Sequence, residues 1–150
     1  MANTQNTVLT NPSSVLCLID FSASSENALR AATRLAVKNK ARMTILYPYR
    51  LNQMVSKENR VKVKRDIDQE AIRKFEKISH LLDGSNIEFD FRSEVGFLND
   101  RIQEHLHDGD IKLIVMGMNL AAEGGEALNE LVQHLKVPLV VVPEGESIAF

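Results

Sequence analysis

The sequence predicts an α/β protein built on a parallel sheet with helices on both faces. Two short apolar runs rich in β-branched residues, Ile111–Met116 and Leu139–Val142, are typical of strands that are buried on both faces. Between them, Leu128, Leu131 and Leu135 recur at the spacing of a helix that packs on a sheet. Along the chain, five predicted strands alternate with four predicted helices. This alternation indicates a doubly wound sheet with right-handed crossovers.

The amino-terminal half supplies two strands and two helices. The first strand, Val15–Ile19, ends at Asp20, and alanines and leucines then follow at helical spacing behind a serine-rich start. The second strand, Met43–Tyr47, is closed by Pro48, which cannot donate a hydrogen bond to a sheet ladder. Residues 57–82 then predict a long amphipathic helix that stops at an Asp-Gly pair.

The carboxyl-terminal half completes the sheet and contains the predicted ligand loop. Residues Ile87–Phe91 alternate apolar and acidic side chains, which favours an edge strand buried on one face. Residues 98–106 carry leucine or isoleucine at every fourth position and predict a further helix. Residues 117–125 are small, polar and glycine-rich, so we expect a loop there. Loops at the carboxyl ends of parallel strands form the crevice in which α/β proteins bind ligands.

Composition indicates one domain, residues 15–143, between a disordered lead at 1–14 and a tail at 144–150. A net charge of -2 and a pI near 6.1 give no general reason to bind nucleic acid or an anionic membrane. No stretch approaches the ~20 apolar residues of a membrane span, and the lead lacks the apolar core of a signal peptide. The lone Cys17 excludes an internal disulfide and is compatible with a reducing cytosol.

Three segments resemble the universal stress protein family. The first strand and helix, VLCLIDFSASSENALRAATRLA, resemble the opening of family members. The matching positions are Asp20, Ser22, Ser25, Ala28 and Leu29. The segments DIKLIVMGMN and HLKVPLVVVP resemble the fourth strand and the last helix and strand of the family. The resemblance covers residues 15–143 and implies a flavodoxin-like sheet of five parallel strands in the order 3-2-1-4-5.

One loop separates family members that bind ATP from those that do not. The resemblance implies that binders carry Gly, two residues, Gly, nine residues, Gly and then Ser or Thr, so that backbone and hydroxyl groups cradle the phosphates. In this sequence Gly117 matches the first glycine, Leu120 stands in place of the second, and the loop is shorter. Gly125 is followed by Glu126, where the hydroxyl belongs.

The charges of this segment oppose phosphate binding independently of the family. Between Lys112 and Lys136 there is no lysine or arginine, whereas Glu123, Glu126 and Glu130 are acidic. A carboxylate about 4 Å from a phosphate charge costs about 4 kcal/mol near a protein surface. The dipole at a helix amino terminus stabilises an anion by only about 0.3 to 1 kcal/mol. We therefore expect a structural turn and helix start, with no bound cofactor.

A second hypothesis keeps the crevice as a nucleotide site. Asp20 would face the crevice from the end of the first strand, and in ATP-binding relatives the matching acid helps to hold the nucleotide. The same carboxylate is also suited to capping the first helix. The alternative function is an ATP- or AMP-binding regulatory module with a degenerate phosphate loop, in which Asp20, Gly117 and Gly125 bind the nucleotide.

Other motifs give weak signals. His105 and His107 are two residues apart and point to different faces of a helix, so we expect no metal site. No pairing of a nucleophile with a base is evident, and we expect the protein not to be an enzyme. Residues 57–65 are locally basic but have no aromatic platform for bases, so no nucleic-acid partner is expected.

The last strand predicts an interaction surface. In the strand order that the resemblance implies, this strand is an apolar edge, which invites pairing with another strand. It consists of Leu139, Val140, Val141 and Val142. The resemblance also implies homodimers formed through this strand, and Ile148 and Phe150 of the tail are suited to pack across the contact. The sequence thus predicts a cytoplasmic, homodimeric stress-response protein of the type that does not bind ATP, and it does not identify the protein's physiological partner.

Overall fold

A computed structural model describes residues 13–145 and contains one sheet of five parallel strands in the order β3-β2-β1-β4-β5. The fold class and the strand order predicted from the sequence are therefore confirmed. The elements are β1 Ser14–Leu18, α1 Ala23–Lys38, β2 Arg42–Tyr49, α2 Lys57–Ile78 with a 3-10 turn at Ser79–Leu82, β3 Phe89–Val95, α3 Leu98–Asp108, β4 Ile111–Gly117, α4 Met118–His134 and β5 Leu139–Val142. The predicted lead and tail fall almost entirely outside the described residues.

The two faces of the sheet carry different helices because successive side chains of a strand point to opposite faces. On one face, Val15, Cys17 and Ile19 pack with α1 and α2. On the other face, Leu16 and Leu18 pack with α3 and α4. All five of these residues are fully or almost fully buried. The apolar run of β1 is thus continuous because both of its faces lie in the core.

The centre of the sheet is also its topological switch point. β1 lies between β2 and β4, with Cys17 in register with Ile45 on one side and with Val115 on the other. The chain leaves β1 toward one side of the sheet and returns through β4 on the other side. A crevice therefore opens beyond the carboxyl ends of these two strands, as in other open α/β sheets.

The predicted loop at residues 117–125 is wrong. The helix α4 begins at Met118, directly after β4, and contains most of this segment. Leu120 is buried in the core beneath it, and Met, Leu and Ala are good helix formers. The glycines of the segment suggested a loop, but only Gly125 departs from helical geometry, with φ of 55° and ψ of -144°.

Two strands also differ from their predicted bounds by more than one residue. β2 continues through Pro48 to Tyr49, because β1 ends at Leu18 opposite Leu46 and leaves that side of β2 without a partner at Pro48. A missing N–H is tolerated at such a position. β3 is an edge strand as predicted, but it begins at Phe89, which pairs with Met43, and extends to Val95.

Candidate functional site

The crevice at the carboxyl edge of the sheet is formed around Asp20. This residue lies two positions after the end of β1, and the next residue, Phe21, has a φ of 64° that turns the chain sharply into α1. Gly117 ends β4, and Asn119 lies in the first turn of α4. The ends of two neighbouring strands and the starts of two helices therefore meet at one carboxylate.

Protein donors surround the Asp20 carboxylate. Its Oδ1 accepts hydrogen bonds from the Ser22 N–H at 3.1 Å, from the Ser22 hydroxyl, and from the Ser25 hydroxyl at 2.6 Å. Its Oδ2 accepts a hydrogen bond from the Asn119 side-chain amide at 2.6 Å. Burial raises the pKa of Asp20, but the hydrogen bonds from Ser22, Ser25 and Asn119 outweigh it, so the pKa lies below its usual value. Asp20 is thus a charged and well-satisfied acceptor.

Asn119 is a site residue that the sequence reasoning did not single out. Its side chain binds Asp20, and its backbone N–H donates to the Ser24 hydroxyl at 3.1 Å. One residue of α4 therefore holds both the end of β1 and the start of α1. The available signal was a polar residue two positions after the strand that ends at Gly117, but only the fold brings it to Asp20.

Gly117 has a packing role in this arrangement. A Cβ placed on Gly117 would lie 2.6 Å from the carbonyl carbon of Ser24 and 2.6 Å from its hydroxyl oxygen. Real Cβ atoms do not approach a backbone so closely, so any larger residue would push β4 and α1 apart. The glycine is required whether or not a ligand occupies the crevice.

Gly125 lies away from the other predicted site residues. It follows Gly117 by eight positions, which corresponds to about 12 Å along a helix. Its positive φ interrupts α4, and a Cβ built on it would meet no atom within 4 Å. The structure thus brings Asp20 and Gly117 together, whereas Gly125 marks a kink farther along α4.

Negative charge accumulates on the α4 side of the crevice. Burial raises the pKa of Tyr47, and the negative charges of Asp20 and Glu123 raise it further. Both carboxylates are therefore close enough to Tyr47 to disfavour a phenolate there. An incoming phosphate would meet the same repulsion.

A cleft of about 520 Å³ extends from this edge between β2, α3 and α4. Its walls include Tyr49 and Arg50 at the end of β2, Phe97 at the start of α3, and Leu120 and Glu123 of α4. The cleft is mixed in character, with aliphatic and aromatic surface beside one basic and two acidic side chains. It is large enough for a small organic ligand.

Other predicted candidates lie outside the crevice. His105 contacts Glu94 at 2.9 Å, and residues 13–145 contain no cluster of three or more potential metal ligands. Burial raises the pKa of the Cys17 thiol to about 12, so the thiol stays protonated and unreactive. Within the described part of the chain, no helix combines the length and apolar character needed to cross a membrane.

Comparison with known proteins identifies the family. The family model described as "Universal stress protein family" matches residues 13–143, which is most of the chain. The chain belongs to the universal stress protein family. This confirms the resemblance seen in the sequence. Among curated proteins, no match to this universal stress protein was found.

Several solved structures share the universal stress protein fold. The hypothetical protein MJ0577 has a TM-score of 0.73 and 21% identity, over 92% of this chain and 100% of its own. A universal stress protein in complex with cAMP has a TM-score of 0.64 and 18% identity, with coverage of 91% and 100%. The universal stress protein UspA from Lactobacillus plantarum has a TM-score of 0.67 and 17% identity, with coverage of 89% and 99%. At these identities the likeness establishes the fold alone.

The contact between Gly117 and Ser24 predicts a specific sensitivity to added volume. We expect Gly117→Ala to lower the free energy of unfolding by about 1 to 3 kcal/mol, because the methyl group overpacks the junction of β4 and α1. Gly145→Ala is the matched control, since a Cβ there meets no atom of the described residues within 4 Å. Urea unfolding measures both changes. Equal stability of the two variants would contradict the close approach.

The hydrogen bonds of Asp20 predict a stability that depends on pH. Because the folded-state pKa of Asp20 lies below its unfolded value of about 3.9, the charged form stabilises the fold above that pH. This contribution is lost as the pH falls through the folded-state pKa. We expect the difference in unfolding free energy between the native chain and Asp20→Asn to be constant above about pH 5 and to shrink below about pH 4.

Urea unfolding at a series of pH values measures this difference. Asp66→Asn is the control for general acid effects, because the Asp66 carboxylate pairs with Lys62 on the exposed face of α2. A difference for Asp20→Asn that stays unchanged down to pH 3 would show that its hydrogen bonds do not favour the charged form.

Proposed function

We propose that this universal stress protein acts in the stress response as a cytoplasmic homodimer that does not bind ATP and is not an enzyme. The observation that carries the proposal is the start of α4. The helix begins at Met118, where ATP-binding members are expected to have a phosphate loop. Two segments of the chain already use the polar groups at this point, since Ser24 and Asp20 both bind Asn119.

Electrostatics support the same conclusion. Glu123 and Glu126 lie on α4, and the sequence carries no lysine or arginine between Lys112 and Lys136. A triphosphate at this end of the crevice would face these carboxylates, and α4 supplies no lysine or arginine to compensate them. Phosphate contacts at a helix start rely on free N–H groups, and the Asn119 N–H is bonded to Ser24.

The alternative is a regulatory module that binds an adenine nucleotide with few phosphates. A fold neighbour was solved in complex with cAMP, which carries a single phosphate. In that case Asp20, Gly117 and Gly125 would contribute to binding, and Asp20 would have to exchange protein donors for ligand donors. Such an exchange is possible because the carboxylate is only partly buried.

The proposed dimer rests on the last strand. Among residues 13–145, β5 has one strand partner, β4, and its other edge is unpaired. Val141 on this strand is 40% exposed and Val132 of α4 is 42% exposed, so apolar surface flanks the open edge. A groove lined by Leu128, Val137 and Leu139 continues this surface. Pairing of β5 with its symmetry mate would cover the edge in both subunits.

The nucleotide question is tested on protein freshly purified from cells. We expect denatured protein to release no adenine nucleotide, and titration with ATP or AMP to give no binding heat. The double variant Glu123→Gln, Glu126→Ser removes two charges and restores a hydroxyl, so it should bind ATP about tenfold or more tightly than the native chain. Copurified nucleotide would instead support the regulatory module.

The dimer is tested by sedimentation equilibrium. We expect the native chain to sediment with about twice its mass of 16.8 kDa. Val141→Lys places a charge beside the open edge of β5 and should shift the equilibrium toward the monomer. Val61→Lys on α2 is the control, because Val61 is 76% exposed and lies on another element. A monomeric native chain at micromolar concentration would rule out this interface.

A further inference from the structure

A guanidinium group in the cleft has no acidic partner. Arg50 follows β2, and its guanidinium carbon lies 4.0 Å from the centre of the Phe97 ring. Stacking on an aromatic face fixes the plane of the group while leaving its N–H donors at the edge. Across residues 13–145, no carboxylate lies within ion-pair distance of Arg50. The Arg50 guanidinium is therefore available to bind the anionic group of a ligand.

Acidic side chains line other walls of the same cleft. Asp100 of α3 and Glu123 of α4 both line it, and neither is paired with Arg50. The Oδ1 atom of Asn99, a further lining residue, is shielded from solvent and accepts no hydrogen bond from the described residues.

The surface between these groups is apolar. Leu98, Leu120 and Ala127 line the cleft together with Pro48 and the ring of Phe97, which is 54% exposed. With a volume of about 520 Å³, the cleft has room for a compound with an aliphatic or aromatic side chain. Such a compound would shield the exposed ring from water.

We propose that this cleft binds a free apolar α-amino acid. Its carboxylate would lie against the Arg50 guanidinium, which favours two parallel hydrogen bonds to a planar anion. Its ammonium group would face Asp100 and Glu123, and its side chain would cover Leu98 and the exposed ring of Phe97. A phosphorylated ligand fits less well, because its larger negative charge would lie beside the same two acids. This inference goes beyond the proposed function and depends neither on the dimer nor on the ATP result.

The test uses the full-length, isotope-labelled protein and L-leucine as the probe. We expect leucine to shift the backbone amide resonances of residues 96–100 and 120–127 in a saturable manner. Two analogues each remove one charge: leucinamide lacks the carboxylate, and 4-methylpentanoate lacks the ammonium group. Both should bind at least about tenfold more weakly than leucine, because each loses a charge-assisted hydrogen bond.

Protein variants provide an independent test. Arg50→Met keeps an unbranched side chain but removes the guanidinium that stacks on Phe97, and it should weaken leucine binding at least about tenfold. Glu123→Gln should weaken leucine binding but leave the binding of 4-methylpentanoate unchanged or stronger. Arg60→Met, on the exposed surface of α2, is the matched control and should bind like the native chain.

Three results would overturn the proposal. They are the absence of saturable shifts with leucine, shifts that map outside the cleft, and equal binding of leucine and its two analogues. None of these results would alter the conclusions about ATP or the dimer, because calorimetry and sedimentation measure those separately. Since Arg50 is exposed, its replacement should leave the melting temperature unchanged.

Discussion

The carboxylate of Asp20 is the interaction on which the functional edge of this protein depends. It receives hydrogen bonds from Ser22 and Ser25 of the α1 start and from Asn119 of the α4 start. Hydrogen bonds to an ionised acceptor are among the stronger ones in proteins. Because β1 and β4 are neighbours, this residue links the starts of the two helices at the switch point.

The charged side chains around the crevice are unevenly distributed. The charges of Asp20 and Glu123 act on Tyr47, whereas Arg50 lines the cleft from the end of β2. A ligand with both charges would be oriented on entering, since each end is attracted to one wall and repelled by the other. Uncharged compounds would gain binding free energy only from contact with the apolar lining of the cleft.

The sequence was sufficient to predict most of the fold because its core is strictly periodic. β1 and β4 are short apolar runs, and α1 repeats alanine and leucine at helical spacing, so both element types and their order were readable. The strand order came from the family resemblance and was confirmed. Local patterns were informative wherever burial alone decides the structure.

The site was less predictable because tertiary contacts decide it. Two adjacent glycines suggested a loop after β4, but burial of Leu120 and good helix formers around it favour a helix from Met118. Pro48 suggested the end of a strand, yet it lies where β1 has already ended. Asn119 and Asp20 are 99 positions apart in the sequence, and a local sequence pattern cannot show that their side chains are in contact.

The close approach of Gly117 to Ser24 bears on how sequence signatures should be interpreted. The glycine is required by the backbone of α1, so it would be needed in a chain that had lost every phosphate contact. Its presence therefore carries little information about the ligand of a related protein. The informative positions are those with no packing duty, such as the exposed Glu126, where a change of chemistry leaves the fold intact.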